Sequence, residues 1–432
     1  MSEYNPQAVE LNEQIRKSNP DILELLSDRG RGIYFPKGGI IKQTAEAKGK
    51  KYNATIGMAV EDDGSPMRFA SIAKKIDLDS AAAFTYATTT GVPELRKAWH
   101  EALFQKNPGL KAKTSLPMVT HALTHGLSMA GYLFVNPGEP IWMTDQFWGN
   151  YRQIFENTWE GKIKTFNTFK SGCFDSESLQ KTLEANPGKQ ILLLNFPNNP
   201  AGYTPTIAEA DAIVAAIRAS AKRGNRIVAI LDDAYFGLVY EPGVLAESLF
   251  SRLADLDERV LAVKLDGPTK EDYVWGFRVG FITFACKGIS DETCRALEEK
   301  TAGAIRGTIS NASHLSQSLI LAGMRSPDYQ DEKKRKFEIL RSRFITVKSW
   351  LAKNKNRTEN VFNPMPFNSG YFMCVELAPG LDAEAIRKNL LAKFDTGLIS
   401  SGNTLRIAYS SLGEKDIPKV FENILAACRE AD

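Results

Sequence analysis

The sequence predicts an α/β protein: a mainly parallel sheet covered on both faces by helices, then a smaller α+β domain. Three observations predict it. Short apolar runs alternate with helical patterns through the middle of the chain, as strands buried on both faces and joined by crossover helices do. The pattern changes after about Ser326, where a long charged amphipathic segment precedes two short strands. Finally, 432 residues with 43% hydrophobic composition can bury a large core, and at about 150 residues per domain they suggest two or three domains.

The elements follow in order. Gly91-Val92-Pro93 opens a helix running to about Phe104, with proline in the first turn, where its missing N–H costs nothing. Pro117 to Ala122 reads as a strand and Gly126 to Val135 as a buried helix. Pro140 to Thr144 is a strand, with a helix from about Trp148. Ile163 to Phe166 and Gln190 to Phe196 are further strands. Thr206-Ile207-Ala208-Glu209 has the form of a capping box and starts a helix ending near Gly224. Arg226 to Leu231, Arg259 to Leu265 and Val279 to Phe284 complete the run of strands. Beyond Ser326 come a helix over Tyr329 to Asn354, a strand over Tyr371 to Leu377, a helix over Asp382 to Leu391, a strand over Thr404 to Tyr409 and a helix over Lys415 to Ala427. These boundaries predict a large domain over 67–326 and a smaller one over 327–432. Residues 1–66 form an N-terminal arm that drapes over or completes the smaller domain.

Composition and motifs exclude several classes. Fifty-four Lys and Arg against 51 Asp and Glu leave a net charge of +3, with no basic stripe for nucleic acid. The longest apolar runs, such as Ile191-Leu192-Leu193-Leu194, fall far short of the roughly 18 residues of a membrane helix. Five scattered cysteines with no C-x-x-C pair argue against a disulfide framework or a zinc site, and four dispersed histidines against a metal site. The polar start Met1-Ser2-Glu3-Tyr4-Asn5-Pro6 has no apolar signal core, so a cytoplasmic location is expected. The phosphate-cradling and dinucleotide glycine motifs are absent. Gly126-Leu127-Ser128-Met129-Ala130 approaches a nucleophile elbow but ends in alanine.

Four polar motifs instead fall at the ends of predicted strands, where an open α/β sheet binds its ligand. They are Asn195-Phe196-Pro197-Asn198-Asn199-Pro200-Ala201-Gly202, Leu231-Asp232-Asp233-Ala234-Tyr235, Lys270 eight residues before Arg278, and Arg406 within the apolar run Leu405 to Tyr409. Singly each has an ordinary explanation: a turn, a helix cap, surface charge around a hairpin, an arginine reaching a sheet edge. Lys264 competes with Lys270 but lies inside a strand pattern, whereas Lys270 lies in the loop that follows.

Taken in order, the four motifs resemble the fold type I pyridoxal-phosphate enzymes, and more narrowly the class I/II aminotransferases of the aspartate aminotransferase family. The resemblance runs from about Asn53 to the C-terminus. It implies a sheet of the seven-stranded type and pyridoxal 5'-phosphate as cofactor. It makes Lys270 the amine that links covalently to the cofactor aldehyde and then, when free, carries the proton between substrate and cofactor. Asp232 would pair with the pyridine nitrogen and keep the ring electron-poor. Tyr235 and Asn199 would bind the phenolic oxygen, Arg278 the phosphate, and Trp148 would stack on the ring. Thr124 and His125 fall at the family's phosphate-binding helix start. The chain departs from the family at Gly267, where relatives often carry a phosphate-binding serine, and Thr269 is a candidate replacement. Tyr86 resembles a tyrosine that reaches the phosphate of a neighbouring subunit, which implies a homodimer with shared active sites.

For the substrate, Arg406 matches the arginine that clamps the α-carboxylate. Arg306, in Ile305-Arg306-Gly307-Thr308-Ile309-Ser310-Asn311, resembles the arginine that binds a distal carboxylate across the dimer. Ile56 and Gly57 would line the substrate pocket. These features imply aspartate, glutamate and 2-oxoglutarate as substrates, and aromatic aminotransferases share them. A β-lyase or decarboxylase on the same scaffold is the alternative activity. A non-catalytic cofactor-binding regulator would need a DNA-binding domain, for which the chain has neither room nor a basic helix.

Overall fold

The computed structural model describes residues 4–18, 31–32, 39–75 and 80–430. Part of the arm expected over 1–66 therefore lies outside the described residues. At the centre is a seven-stranded sheet: β1 (Met118–Thr120), β2 (Pro140–Thr144), β3 (Lys162–Phe166), β4 (Lys189–Asn195), β5 (Arg226–Asp232), β6 (Val260–Asp266) and β7 (Gly280–Ala285). The spatial order is β1-β7-β6-β5-β4-β2-β3. Only β7 runs antiparallel to its neighbours; β6, β5, β4, β2 and β3 are parallel. From β2 the chain goes outward to β3, then crosses back to β4 on the other side. That reversal opens a crevice at the carboxyl ends of the strands.

Side-chain alternation explains why the strands read as continuous apolar runs. Leu192 and Leu194 of β4 face the helices Ser176–Ala185 and Ile207–Lys222, in a core with Leu179, Leu183, Ile213 and Ile217. Ile191 and Leu193 face the other way, in a core with Leu127, Met129, Ala304 and Ile305 of helices Ala122–Phe134 and Asp291–Thr308. Both faces are dry, so neither alternate position is free to be polar. Thr206 and Glu209 make the reciprocal capping-box bonds that start the helix Ile207–Lys222.

The C-terminal part builds a four-stranded antiparallel sheet, β8 (Phe362–Pro364), β9 (Met373–Leu377), β10 (Ile399–Ser401) and β11 (Thr404–Ile407), in the order β8-β9-β11-β10. Helices Tyr329–Lys353, Ala383–Lys393 and Ile417–Arg429 share its core. Ala54, Ala59, Met67 and Phe69 belong to that same core, and Tyr52–Asn53 pairs in parallel with Thr396–Gly397.

Some boundaries differ from those read in the sequence. The buried helix begins at Ala122 rather than Gly126, taking over the end of the expected first strand. The helix expected from Trp148 is a π-helix over Arg152–Thr158. The last expected strand stops at Ile407, and Tyr409 enters a tight turn. Helices Ser176–Ala185, Asp291–Thr308 and His314–Met324 were not expected. Among the described residues no helix is long and apolar enough to cross a membrane.

Candidate active site

Parallel register sets the carboxyl ends of three strands side by side: Asn195 pairs with Asp232, and Asp232 with Leu265. A cavity of roughly 320 Å³ opens there. Its walls include ten residues singled out in the sequence: Ile56, Gly57, Thr124, Trp148, Asn199, Asp232, Tyr235, Lys270, Arg278 and Arg406.

Asp232 ends β5 and is 3% exposed. Its Oδ2 accepts from the Tyr151 hydroxyl at 2.6 Å, and its Oδ1 from the Ala234 N–H at 3.1 Å. Burial raises its pKa, opposed by the Tyr151 hydrogen bond and the Lys270 charge. Asp233 points to the opposite side, as strand alternation requires. There its Oδ2 accepts from the Ser248 hydroxyl at 2.6 Å and from Lys264 Nζ at 2.5 Å. Lys264 is fully enclosed and also meets Asp266 at 3.1 Å. Both of its carboxylate partners lie away from the cavity, so this lysine is a structural ion pair.

Lys270 sits in the short helix Pro268–Glu271, with the Tyr371 hydroxyl donating to its backbone oxygen at 2.8 Å. Its Nζ lies 5.2 Å from the centre of the Tyr235 ring, with no hydrogen-bond partner among the described residues. It keeps some accessible surface because it lines the cavity, yet protein surrounds it. Burial lowers its pKa to about 8; Asp232 opposes this and Arg278 adds to it.

Arg406 reaches the cavity from β11. It donates to Asn199 Oδ1 at 3.1 Å and to the Thr55 carbonyl at 3.0 Å, and lies over the Phe372 ring. Its Nε is buried without a partner among the described residues. A Cβ at Gly57 would lie 3.3 Å from the Phe372 ring, which would have to give slightly, and in ordinary contact with the Tyr235 hydroxyl at 3.7 Å. Arg278 has a left-handed backbone (φ 53°) and one guanidinium bond, to the Trp275 carbonyl at 3.1 Å. Among the described residues it meets no carboxylate. Thr124 lies in the first turn of helix Ala122–Phe134, where backbone N–H groups are unspent.

Three expected residues lie elsewhere. His125 does not line the cavity: its Nδ1 accepts the His121 N–H at 3.2 Å and its Nε2 meets the Thr308 hydroxyl at 3.0 Å. Burial lowers its pKa to about 4, so it is neutral at physiological pH. Tyr86 is 91% exposed, hence not a core tyrosine. Arg306 is exposed on the helix Asp291–Thr308 and donates to Ser310 Oγ at 2.7 Å.

The cavity also contains residues the sequence reading passed over. Tyr151 is one helical turn beyond Trp148 and looks like an ordinary core aromatic. Asn195, whose amide donates to the Asp232 carbonyl at 2.8 Å, was only the first letter of a turn motif. Thr55, Thr44, Ile40, Trp275 and Phe372 also line it, as does Thr269, the candidate named beside Gly267. Position in the fold, not residue type, brings them there.

The fold has many counterparts. A solved aminotransferase from Anaerococcus prevotii superposes with a TM-score of 0.82 at 22% identity, covering 93% of this chain and 98% of that one. A Thermus thermophilus aspartate aminotransferase variant gives 0.74 at 18%, covering 93% and 99%. The sheet, its order and the crevice at the strand ends are thus those of the fold type I aminotransferases.

Residues 60–424 match the family described as aminotransferase class I and II, and the chain belongs to that family. Among curated relatives, the cytoplasmic aspartate aminotransferase isozyme 2 of Arabidopsis thaliana is 23% identical, over 87% of this chain and 91% of its own. An aromatic-amino-acid aminotransferase of Paracoccus denitrificans is 24% identical, over 66% and 71%. The match to an aspartate aminotransferase of Sulfurisphaera tokodaii, at 23% identity, spans 56% of this chain and 57% of that relative.

Proposed function

We propose that this chain is a pyridoxal-phosphate-dependent aminotransferase moving an amino group between an L-amino acid, aspartate or glutamate foremost, and a 2-oxo acid such as 2-oxoglutarate. It would act as a cytoplasmic homodimer. The observation that carries the reading is the charge of the cavity: Lys270, Arg278 and Arg406 against the single carboxylate of Asp232. Three cations in a partly enclosed space are self-repelling unless anions enter, and a phosphate together with a substrate carboxylate supplies them. Arg278 without a carboxylate and Arg406 with an orphaned Nε fit that filling.

The cofactor, when bound, supplies an electron sink for the bond cleaved at the substrate Cα. Arg278, Thr124 and the first-turn N–H groups of helix Ala122–Phe134 would hold its phosphate. Asp232, kept in place by Tyr151, would hold a proton on the pyridine nitrogen. Tyr235 and Asn199 would donate to the phenolic oxygen, and Trp148 would cover the ring. Arg406 would clamp the α-carboxylate and so orient the Cα. Lys270, with its lowered pKa, would take the proton from that carbon and return it at C4′ of the cofactor.

Side-chain choice follows from the remaining walls. Ile40, Ile56 and Phe372 are apolar, and the three cavity cations already have work to do. A distal carboxylate therefore needs a cation from outside the single chain, which the exposed Arg306 of a second copy would provide. In a half-reaction screen against the common amino acids, the visible absorbance of the cofactor should fall fastest with aspartate and glutamate. Arg306→Ala should weaken those two by about 10- to 100-fold, the worth of a charge-assisted hydrogen-bonded pair, and leave monocarboxylic amino acids unchanged. Release of ammonia and pyruvate, or of carbon dioxide, without any oxo-acid acceptor would overturn the transfer reading.

A further inference from the structure

We infer that Trp275 is a phosphate-binding residue of this site, its indole N–H standing in for the hydroxyl that position 267 lacks. The inference rests on the cofactor reading above.

Four observations converge on it. Trp275 lines the cavity, yet its Nε1 is enclosed with no acceptor among the described residues. Leaving a buried donor unpaired costs its desolvation, so native structures keep few, and one at a cavity wall points to a contact that a ligand completes. Trp275 also belongs to the same turn as Arg278: residues Trp275–Phe277 form a single tight turn, Arg278 follows it, and the Arg278 guanidinium donates back to the Trp275 carbonyl at 3.1 Å. The residue with the orphan donor and the cation without a carboxylate thus share one turn.

The third observation is Gly267. A Cβ there would lie 2.9 Å from the Val279 carbonyl oxygen and 3.0 Å from the Gly280 Cα, both backbone, and 3.1 Å from Leu123. No serine fits without moving β7, so the missing hydroxyl is a feature of the packing. Fourth, Thr269, the obvious substitute, is 2% exposed, and its hydroxyl already points to the Val279 carbonyl at 3.5 Å. Among the lining residues the Trp275 Nε1 and the Arg406 Nε are the enclosed side-chain donors without an acceptor, and of the two only the indole belongs to the turn that leads into Arg278. A substrate carboxylate is the poorer occupant, because Arg406 of β11, which also lines the cavity, is proposed to take it.

The test compares pyridoxal phosphate with pyridoxal, which lacks the phosphate, by equilibrium binding to the apo-protein. Trp275→Phe keeps an aromatic ring and removes the donor. It should weaken pyridoxal phosphate by about 10-fold or more, the scale of a hydrogen bond to a charged group, and leave pyridoxal within about twofold. Trp275→His, which restores a ring N–H, should recover part of the preference. Equal losses for both ligands would assign Trp275 a packing role and overturn the inference, as would unchanged pyridoxal phosphate binding with only the amino acid half-saturation raised. If the unaltered protein itself binds pyridoxal phosphate no better than pyridoxal, the cofactor reading fails instead, so the two failures are distinguishable.

Discussion

Lys270→Met should abolish transamination while leaving a folded protein that still takes up the cofactor non-covalently. The substitution keeps the length of the side chain and removes its amine. General acid–base catalysis by one positioned group is worth about 10²- to 10⁴-fold, and loss of the covalent link adds to it, so turnover should fall by about 10⁴ or more. The amine also has a pH signature. Its pKa stands at about 8, below the ordinary 10.5 of lysine, because burial disfavours the charged form. Only the uncharged amine attacks a carbonyl. Covalent cofactor capture by the apo-protein should therefore quicken about tenfold per pH unit below 8 and level off above it; an ordinary lysine would continue to gain up to about 10.5. Stopped-flow absorbance across pH 6 to 10 measures this. A rate still rising about tenfold per unit between pH 8 and 10 would overturn the lowered pKa, and retained turnover in Lys270→Met would remove Lys270 from the chemistry. Lys264 is the contrasting case: its two buried carboxylates raise its pKa, and it stays charged.

That contrast shows what sequence could and could not carry. Lys264 and Lys270 are both lysines near a strand end, and the pattern separated them because a residue inside an apolar strand has a fixed facing while a loop residue does not. The same alternation separated Asp232 from Asp233, which face opposite layers. Strands β4 to β7 were readable because burial on both faces leaves almost no polar position in them. The helix Asp291–Thr308 was not readable: it buries only a thin stripe, Cys294, Thr301, Ala304 and Ile305, and charged residues are interspersed with small ones over the rest. Tyr151 was passed over because an aromatic residue near a π-helix has the same appearance whether it fills a core or holds a carboxylate. Tyr86 and Arg306 mark another limit. The roles proposed for them would depend on a surface that a second chain supplies, and the single chain leaves both exposed.

Glu271→Gln should destabilise the protein by about 3–5 kcal/mol at neutral pH, the usual cost of breaking a buried ion pair from one side. Glu271 directly follows Lys270 and is 4% exposed. Its two oxygens accept from Lys106 at 2.8 Å and from Lys333 at 2.6 Å. Lys333 also meets Asp272 at 3.0 Å, and the Tyr329 hydroxyl donates to Asp272 at 2.7 Å. The segment bearing Lys270 is thereby tied to helix Pro93–Lys106 and to the first turn of helix Tyr329–Lys353. Burial opposes ionisation of Glu271, but Lys106 and Lys333 outweigh it and hold its pKa at about 2, below the ordinary 4.5. A carboxylate with a depressed folded pKa stabilises above its unfolded pKa. That contribution should be lost as pH falls from about 4.5 to about 2, and the acid-side slope of stability should flatten in Glu271→Gln. Urea midpoints between pH 3 and 7 would reveal both effects. The substitution leaves two lysines facing one carboxylate, Asp272, so removing the surplus cation should help. Glu271→Gln combined with Lys333→Met should be less destabilised than the sum of the single changes, because the pair is lost together and neither charge is left buried alone. Strict additivity would show that Lys333 spends its charge on Asp272 and solvent, and that Lys106 alone secures the segment.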